Sequence, residues 1–451
     1  MAGSIKSYAA RCGVVAVLIL RAQDPVLFAA PVEPNADLHA IILTPPVGET
    51  TVDTEIRRLQ EKIRILPEAN PLIVQLGWAF VAKARLTSDP GYYKLAEQCS
   101  QPTSEDSDSL LLKGHIFHAL HRFKETEEAA RQLTADDTSR WQYFALLGDA
   151  LMEQGKLAQA VDAYQRMIDL RPCLQTYARV AHLRWLKGDL AGAEELMVKA
   201  VEAGNSRDPE PAAWSYTRLA LYQFQAGKNE GAALSLNRAM EFVRDYPAAL
   251  LLQGKIDLVK QEPAKAVECF RRAAEQSPLP EYEWALADAA RLTGNDELAR
   301  KTEEKLVSRG AAEDPRTLAL FLATRKEDAE KATKLAATEL TNRRDVFSYD
   351  AMAWTALASG KTKEAAENMD RALAEGTIDA RLFYHAGKIA LASRREGEAD
   401  KFFKRAAEIK QLLLPSEQSD LMAQSAAQRS SSVAAGKLST TNQETGRNRP
   451  N

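Results

Sequence analysis

The chain has 451 residues, 27 % of them charged, and its 62 acidic side chains outnumber its 59 basic ones to leave a net charge of −3. Without a basic excess there is no field to gather a phosphate backbone, so composition argues against nucleic acid as the main partner. The four cysteines, Cys12, Cys99, Cys173 and Cys269, show no CxxC or CxxCH spacing, which excludes the common zinc, thioredoxin-type and c-type haem patterns.

At the N-terminus, Lys6 and Arg11 precede an apolar run from Cys12 to Leu20. The order is similar to that of a secretory signal peptide, with an apolar stretch too short to span a bilayer comfortably. Residues 1–30 are expected to be such a signal, placing the protein in an exported compartment, periplasmic or extracellular. Arg21 interrupts the apolar stretch and Phe28 stands where a small residue is preferred before a cleavage site, so a cytoplasmic location is the alternative. No later run is apolar and long enough to cross a membrane. Residues 31–51, with Pro31, Pro34, Pro45 and Pro46, read as an extended linker.

From Val52 onward Ile56, Leu59, Ile63 and Leu66 follow helical spacing and stop at Pro67. A lone helix here would serve as an N-terminal cap. The next unit carries Leu76-Gly77 and Phe80, then an extended turn through Pro90-Gly91. After Asp108 a degenerate period of about 34 residues returns as far as Lys410. One copy runs Trp141, Phe144, Leu147-Gly148, Leu151, Ala160, Tyr164, Met167 and Pro172; another places Gly254, Asp257, Ala266, Phe270, Ala273 and Pro278 at the same offsets. An insertion is expected around 205–211 and a shortened unit around 314–336.

These offsets resemble the tetratricopeptide repeat, in which small residues at positions 8 and 20 let two helices pack and an aromatic or large apolar residue at position 24 buries against neighbours. The resemblance implies an all-α, right-handed superhelical solenoid over residues 52–415, with about nine to ten hairpins after an N-terminal half-repeat. Glycines at 155, 188, 227, 294 and 360 fall between the two helices of successive units, where a turn is needed. Residues 416–451, rich in Ser, Gln, Ala, Thr and Asn, are expected to form no core and remain disordered.

In such arrays the first helix of each hairpin lines the concave face. Counting from the repeat phase puts Trp185, Trp214, Phe224, Trp284, Trp354 and Tyr384 on that face, a set of rings suited to a peptide groove. Polar candidates on it are His115, Asp149, His182, Lys255, Asp288, Arg291, Asp350 and Lys388. The Lys and Asn clamp by which some relatives of this repeat class hold a carboxylate has no counterpart, since the matching positions hold Leu111, His115, Ala145 and Asp149.

His115, His118 and His121 form HxxHxxH on one expected helix face, but no third ligand of another type completes a shell. No catalytic motif, nucleotide loop or HExxH pattern occurs. The expectation is thus a non-catalytic scaffold, without cofactor or metal, that binds a protein or peptide on its concave face and serves assembly of an exported or envelope-associated complex. A cytoplasmic adaptor or regulatory subunit of an enzyme or transcription factor is the second reading, and an enzyme with a site in the groove the third.

Overall fold

The computed structural model describes residues 40–424 and 426, apart from residue 68 and residues 101–105 and 205–208. The expected signal peptide, most of the linker, most of the expected insertion and the chain beyond 426 lie outside the described residues. Among those described, the regular elements are helices.

Helix α1 (Thr51–Ile65) stands alone, started by Thr50, whose hydroxyl accepts the Asp53 N–H while the Asp53 carboxylate accepts the Thr50 N–H. Helices then pair in succession: α2 (Asn70–Thr87) with α3 (Gly91–Cys99), α4 (Ser107–Ala119) with α5 (Phe123–Asp136), α6 (Trp141–Glu153) with α7 (Leu157–Leu170), α8 (Leu174–Leu186) with α9 (Leu190–Glu202), and α10 (Pro209–Gln225) with α11 (Asn229–Phe242). The second half repeats this with α12 (Pro247–Val259) and α13 (Pro263–Gln276), α14 (Pro280–Leu292) and α15 (Asp296–Glu313), α16 (Pro315–Arg325) and α17 (Ala329–Asn342), α18 (Val346–Ala358) and α19 (Thr362–Leu373), and α20 (Ala380–Ala392) and α21 (Glu396–Glu408). The chain is an all-α solenoid of stacked hairpins.

Inside a hairpin the glycine at position 8 makes room for the ring at position 24. A Cβ on Gly148 would lie 2.3 Å from the Tyr164 ring, and one on Gly254 2.3 Å from the Phe270 ring. The alanines at position 20, among them Ala160, Ala193, Ala232 and Ala266, are fully buried where the helices approach. The sequence pattern thus encodes one steric device: a missing side chain on the first helix accepts an aromatic from the second.

Two boundaries differ from expectation. The end of the linker is docked, because Ile42 is fully buried and the Gln60 amide donates to the carbonyls of Ile42 and Thr44 at 2.9 and 2.8 Å. The boundary expected for the disordered tail lies too early: residues 415–424 are helical. Glu417 accepts from Arg381 at 2.7 Å, Asp420 accepts from Tyr384 and Lys388, and Leu421 is buried. Composition missed this cap because its few anchors suffice once α20 supplies a ready surface.

Helices far apart in sequence also meet. Ser88 bonds to Ser277, Glu153 to Arg343, Leu186 to Thr377, Lys187 to Glu375 and Phe224 to Gln411, at separations of 187 to 191 residues. These five contacts mark a coil that returns onto itself; with a repeat of about 34 residues their spacing corresponds to between five and six repeats, while bonds across the interior, such as Gln225 to Ile378 and Lys255 to Leu412, join residues 153 and 157 apart. Turns within hairpins of one coil sit on loops between hairpins of the next. At Gly155 a Cβ would stand 2.3 Å from the Arg344 carbonyl oxygen, and at Gly188 2.5 Å from that of Gly376. The Arg344 N–H donates to the Glu153 carbonyl at 3.0 Å. Beside it the Arg343 guanidinium, 2 % exposed, meets the Glu153 carboxylate at 2.5 Å and Asp345 at 3.1 Å. Burial pushes the Glu153 carboxyl up to about 7 while Arg343 pulls the other way.

Candidate functional site

Winding the coil back on itself leaves a partly open cavity of about 350 Å³. Its walls come from α8, α10, α12, α14, α16 and α20, together with Phe347, Asp379 and Leu412 from the succeeding coil. The volume is in the range of small-ligand pockets and the walls are preformed.

One end is aromatic. The Trp185 indole donates to Gln225 Oε1 at 2.9 Å, and the Gln225 amide donates to the Ile378 carbonyl at 2.6 Å, so the next coil fixes the ring. Phe347, also from that coil, stacks on Trp185 at 6.0 Å between centroids, and His182 stacks on it at 5.6 Å. Trp214 stands one helical turn before Arg218, whose guanidinium lies 5.1 Å from the Trp185 ring, 5.8 Å from Trp214 and 5.3 Å from Tyr222. Burial and then the Arg218 charge hold the His182 ring well below the usual imidazole range, so it is neutral and accepts from Arg218 at 2.9 Å through Nδ1.

The other end is charged with both signs. Lys255 donates to the Leu412 carbonyl at 2.7 Å, and burial followed by the nearby Arg381 lowers its amine from the ordinary value. Glu281 reaches the cavity's own solvent, yet burial by the surrounding coil and then Asp314 raise its carboxyl. Asp379 caps α20 by accepting the Leu382 N–H, and burial raises it too. Arg381 is held by Glu417, and Arg316 approaches Asp345 at 3.5 Å.

Of the six rings expected to form an open groove, Trp185 and Trp214 come together on this cavity. The other four do not face open space. Phe224 is fully buried, and Trp284, 1 % exposed, packs edge-on against Phe321 at 5.5 Å. Trp354 stacks on His385 at 3.9 Å and donates to Thr324 Oγ1, while Tyr384 is bonded to Asp420 in the terminal helix. Trp284 and Trp354 are covered by the adjacent repeats, and Tyr384 by the terminal helix. Most polar candidates are likewise occupied: Asp149 accepts from Tyr164 and Arg179, Asp288 from Ser416 and Arg325, Arg291 pairs with Glu303, and Asp350 bonds to His385 at 2.8 Å. Arg218, Glu281, Phe347 and Arg381 were not singled out from sequence, because only the closure of the coil brings them to one space.

The histidine cluster is not a row on one helix. His121 lies past the end of α4 with φ of 55°, and it and His118 pack against Phe123, while His115 faces Trp78. Among the described residues no group of three His, Cys, Asp or Glu side chains is arranged to hold a metal ion. Burial, opposed by Asp149, holds the His118 ring at about 4, against 6.5 ordinarily. A ring kept neutral by the fold favours folding fully above the unfolded value, and that contribution is lost as pH falls from about 6.5 through about 4. Thermal unfolding followed by circular dichroism should show a midpoint that declines across this window, and His118→Gln should make the decline shallower.

The geometry defines a class: a closed helical-repeat scaffold with a preformed interior site. Two stretches, residues 111–172 and 251–315, match the family model described as Tetratricopeptide repeat. These two stretches are tetratricopeptide repeats, and the helical hairpins around them continue the same architecture. No curated protein sequence matches it. Several solved structures are similar at low identity. A human IFIT1 dimer with PPP-AAAA is 14 % identical over 83 % of this chain and 94 % of its own, with a TM-score of 0.45. The type IV pilus biogenesis factor PilW is 12 % identical over 49 % of this chain and 100 % of its own, at 0.40. The hetero-tetramer Cut9-Hcn1 of the APC/C is 14 % identical over 82 % and 81 %, at 0.39.

Proposed function

We propose that this protein is a non-catalytic scaffold that binds a peptide segment of a partner protein inside the coil, in assembly of an exported or envelope-associated complex. The cavity carries the reading: fixed aromatic faces at Trp185 and Trp214 stand beside charges of both signs, the combination by which a preorganised surface takes a peptide with little ordering cost. The interior chemistry favours peptide over nucleic acid, because Glu281, Asp350 and Asp379 share the walls with the cations. The exported setting rests on the basic and apolar order of residues 6–20, and sequencing the mature N-terminus tests it: an intact Met1 overturns export.

Affinity purification from the native cell, compared between wild type and Trp185→Ala with Trp214→Ala, tests the site. The set of co-purifying proteins should be lost from the double variant and kept by Leu234→Ala, which alters an exposed side chain on α11. Retention by the double variant, with helicity intact, excludes the cavity as the binding surface.

A further inference from the structure

We propose that the group entering the aromatic end of the cavity is a carboxylate carried on an apolar body, received by Arg218. The inference rests on the cavity being the binding site, and it names the chemistry that the site selects.

Charge is unevenly answered around the cavity. Arg381 faces Glu417, Arg316 faces Asp345, and Lys255 donates a hydrogen bond to the Leu412 carbonyl with Glu281 and Asp379 near enough to support its charge. Arg218 has no acidic partner among the described residues. Its bonds run to two neutral acceptors, His182 Nδ1 at 2.9 Å and the Tyr222 hydroxyl at 3.5 Å, and its Nε is buried without a hydrogen bond. A guanidinium costs free energy to withdraw from water, and here ring faces and two neutral acceptors offset that cost without an opposite charge.

The shape of the box says what would complete it. Rings at Trp185, Trp214 and Tyr222 flank the guanidinium; with Nη2 bonded to His182 and Tyr222 and Nε buried, Nη1 is left for an acceptor entering the cavity that Arg218 lines. A carboxylate accepts from such a donor in a short, charge-assisted bond and supplies the missing opposite charge. A phosphate matches less well, since its second charge would meet Glu281, Asp350 and Asp379 on the same walls with one unopposed guanidinium to answer it. Leu221, Leu251 and Leu252 border the same space, so the atoms next to the carboxylate should be apolar.

Two sources can present this chemistry, an acidic side chain in a peptide or a free organic acid, and one experiment separates them. The full chain is equilibrated with pools of N-acetylated, C-amidated pentapeptides, randomised on both sides of a central Glu, Gln or Lys, and bound peptides are counted by mass spectrometry. In parallel, 2-naphthoate and 2-naphthamide are titrated by calorimetry. The expected result is enrichment of the Glu pool over the Gln pool by about tenfold, the factor a charge-assisted hydrogen-bond pair gives, with no preference left in Arg218→Gln and a weakened one in Arg218→Lys. Circular dichroism on each variant confirms that the fold survives. Equal retention of Glu and Gln pools by the wild type overturns the carboxylate assignment and leaves peptide binding standing. Tenfold preference for naphthoate with no peptide retained keeps the carboxylate site and overturns the peptide reading. Absence of binding in both arms overturns both.

Discussion

Replacing Arg343 by methionine should destabilise the protein by about 3–5 kcal/mol, the usual cost of removing one partner from a buried ion pair. Arg343 and Glu153 are 2 % and 3 % exposed, and the guanidinium also neutralises Asp345 and approaches Glu339. Its removal would leave buried carboxylates facing one another with only Arg316 nearby. Methionine keeps the aliphatic volume, so the loss measures charge rather than packing. Urea unfolding gives the magnitude, and hydrogen exchange gives the location: protection should fall first at the Arg344 amide, whose bond to Glu153 closes the coil. Unchanged protection there would mean that the coil contact does not depend on the ion pair.

A pair of glycine substitutions should separate the coil contact from the turn itself. Gly155 and Gly227 occupy the same place between paired helices, with φ of +72° and +76°. Alanine at Gly227 meets nothing within 4 Å, so it should cost about 1 kcal/mol for the left-handed backbone alone. Alanine at Gly155 carries the same backbone cost, but its Cβ falls 2.3 Å from the Arg344 carbonyl oxygen, a backbone atom that cannot swing aside. We expect an additional loss of about 1–3 kcal/mol, as for other overpacked sites, and a larger radius of gyration by small-angle scattering. Equal effects of the two substitutions would show that the coils do not press on each other in solution.

Much of the fold was legible because each repeat states its own packing rule. Gly148 with Tyr164 and Gly254 with Phe270 fix the hairpin phase, and the turn glycines at 155, 188, 227, 294 and 360 mark where five of the pairs fold over. The same phase found Trp185 and Trp214, which do border the cavity. It misplaced Phe224, Trp284, Trp354 and Tyr384 because the rule is local. Trp284 and Trp354 are covered one repeat away, by Phe321 and by Thr324 and His385, and which ring closes on which neighbour depends on how adjacent units pair. Arg218 and Phe347 show the same limit from the other side: they are unremarkable within their repeats and meet only because the coil closes.

The terminal helix illustrates a second reason. Residues 415–424 look like the start of a low-complexity tail, since their apolar content is small. Their order comes from specific pairing, Arg381 with Glu417 and Tyr384 and Lys388 with Asp420, on a surface that α20 would otherwise leave exposed. Composition weighs average hydrophobicity and is blind to such register.

The separation of 187 to 191 residues at five contacts between touching coils ties the chain length between them to a narrow sum. In an open array, adding or losing a residue in a loop disturbs one junction. Here it would also shift those inter-coil contacts that span it, as a miscut thread binds in a nut. The array can therefore vary unit by unit only while each full turn keeps its total, and excising one complete hairpin would spare every local interface yet leave the two coils out of register.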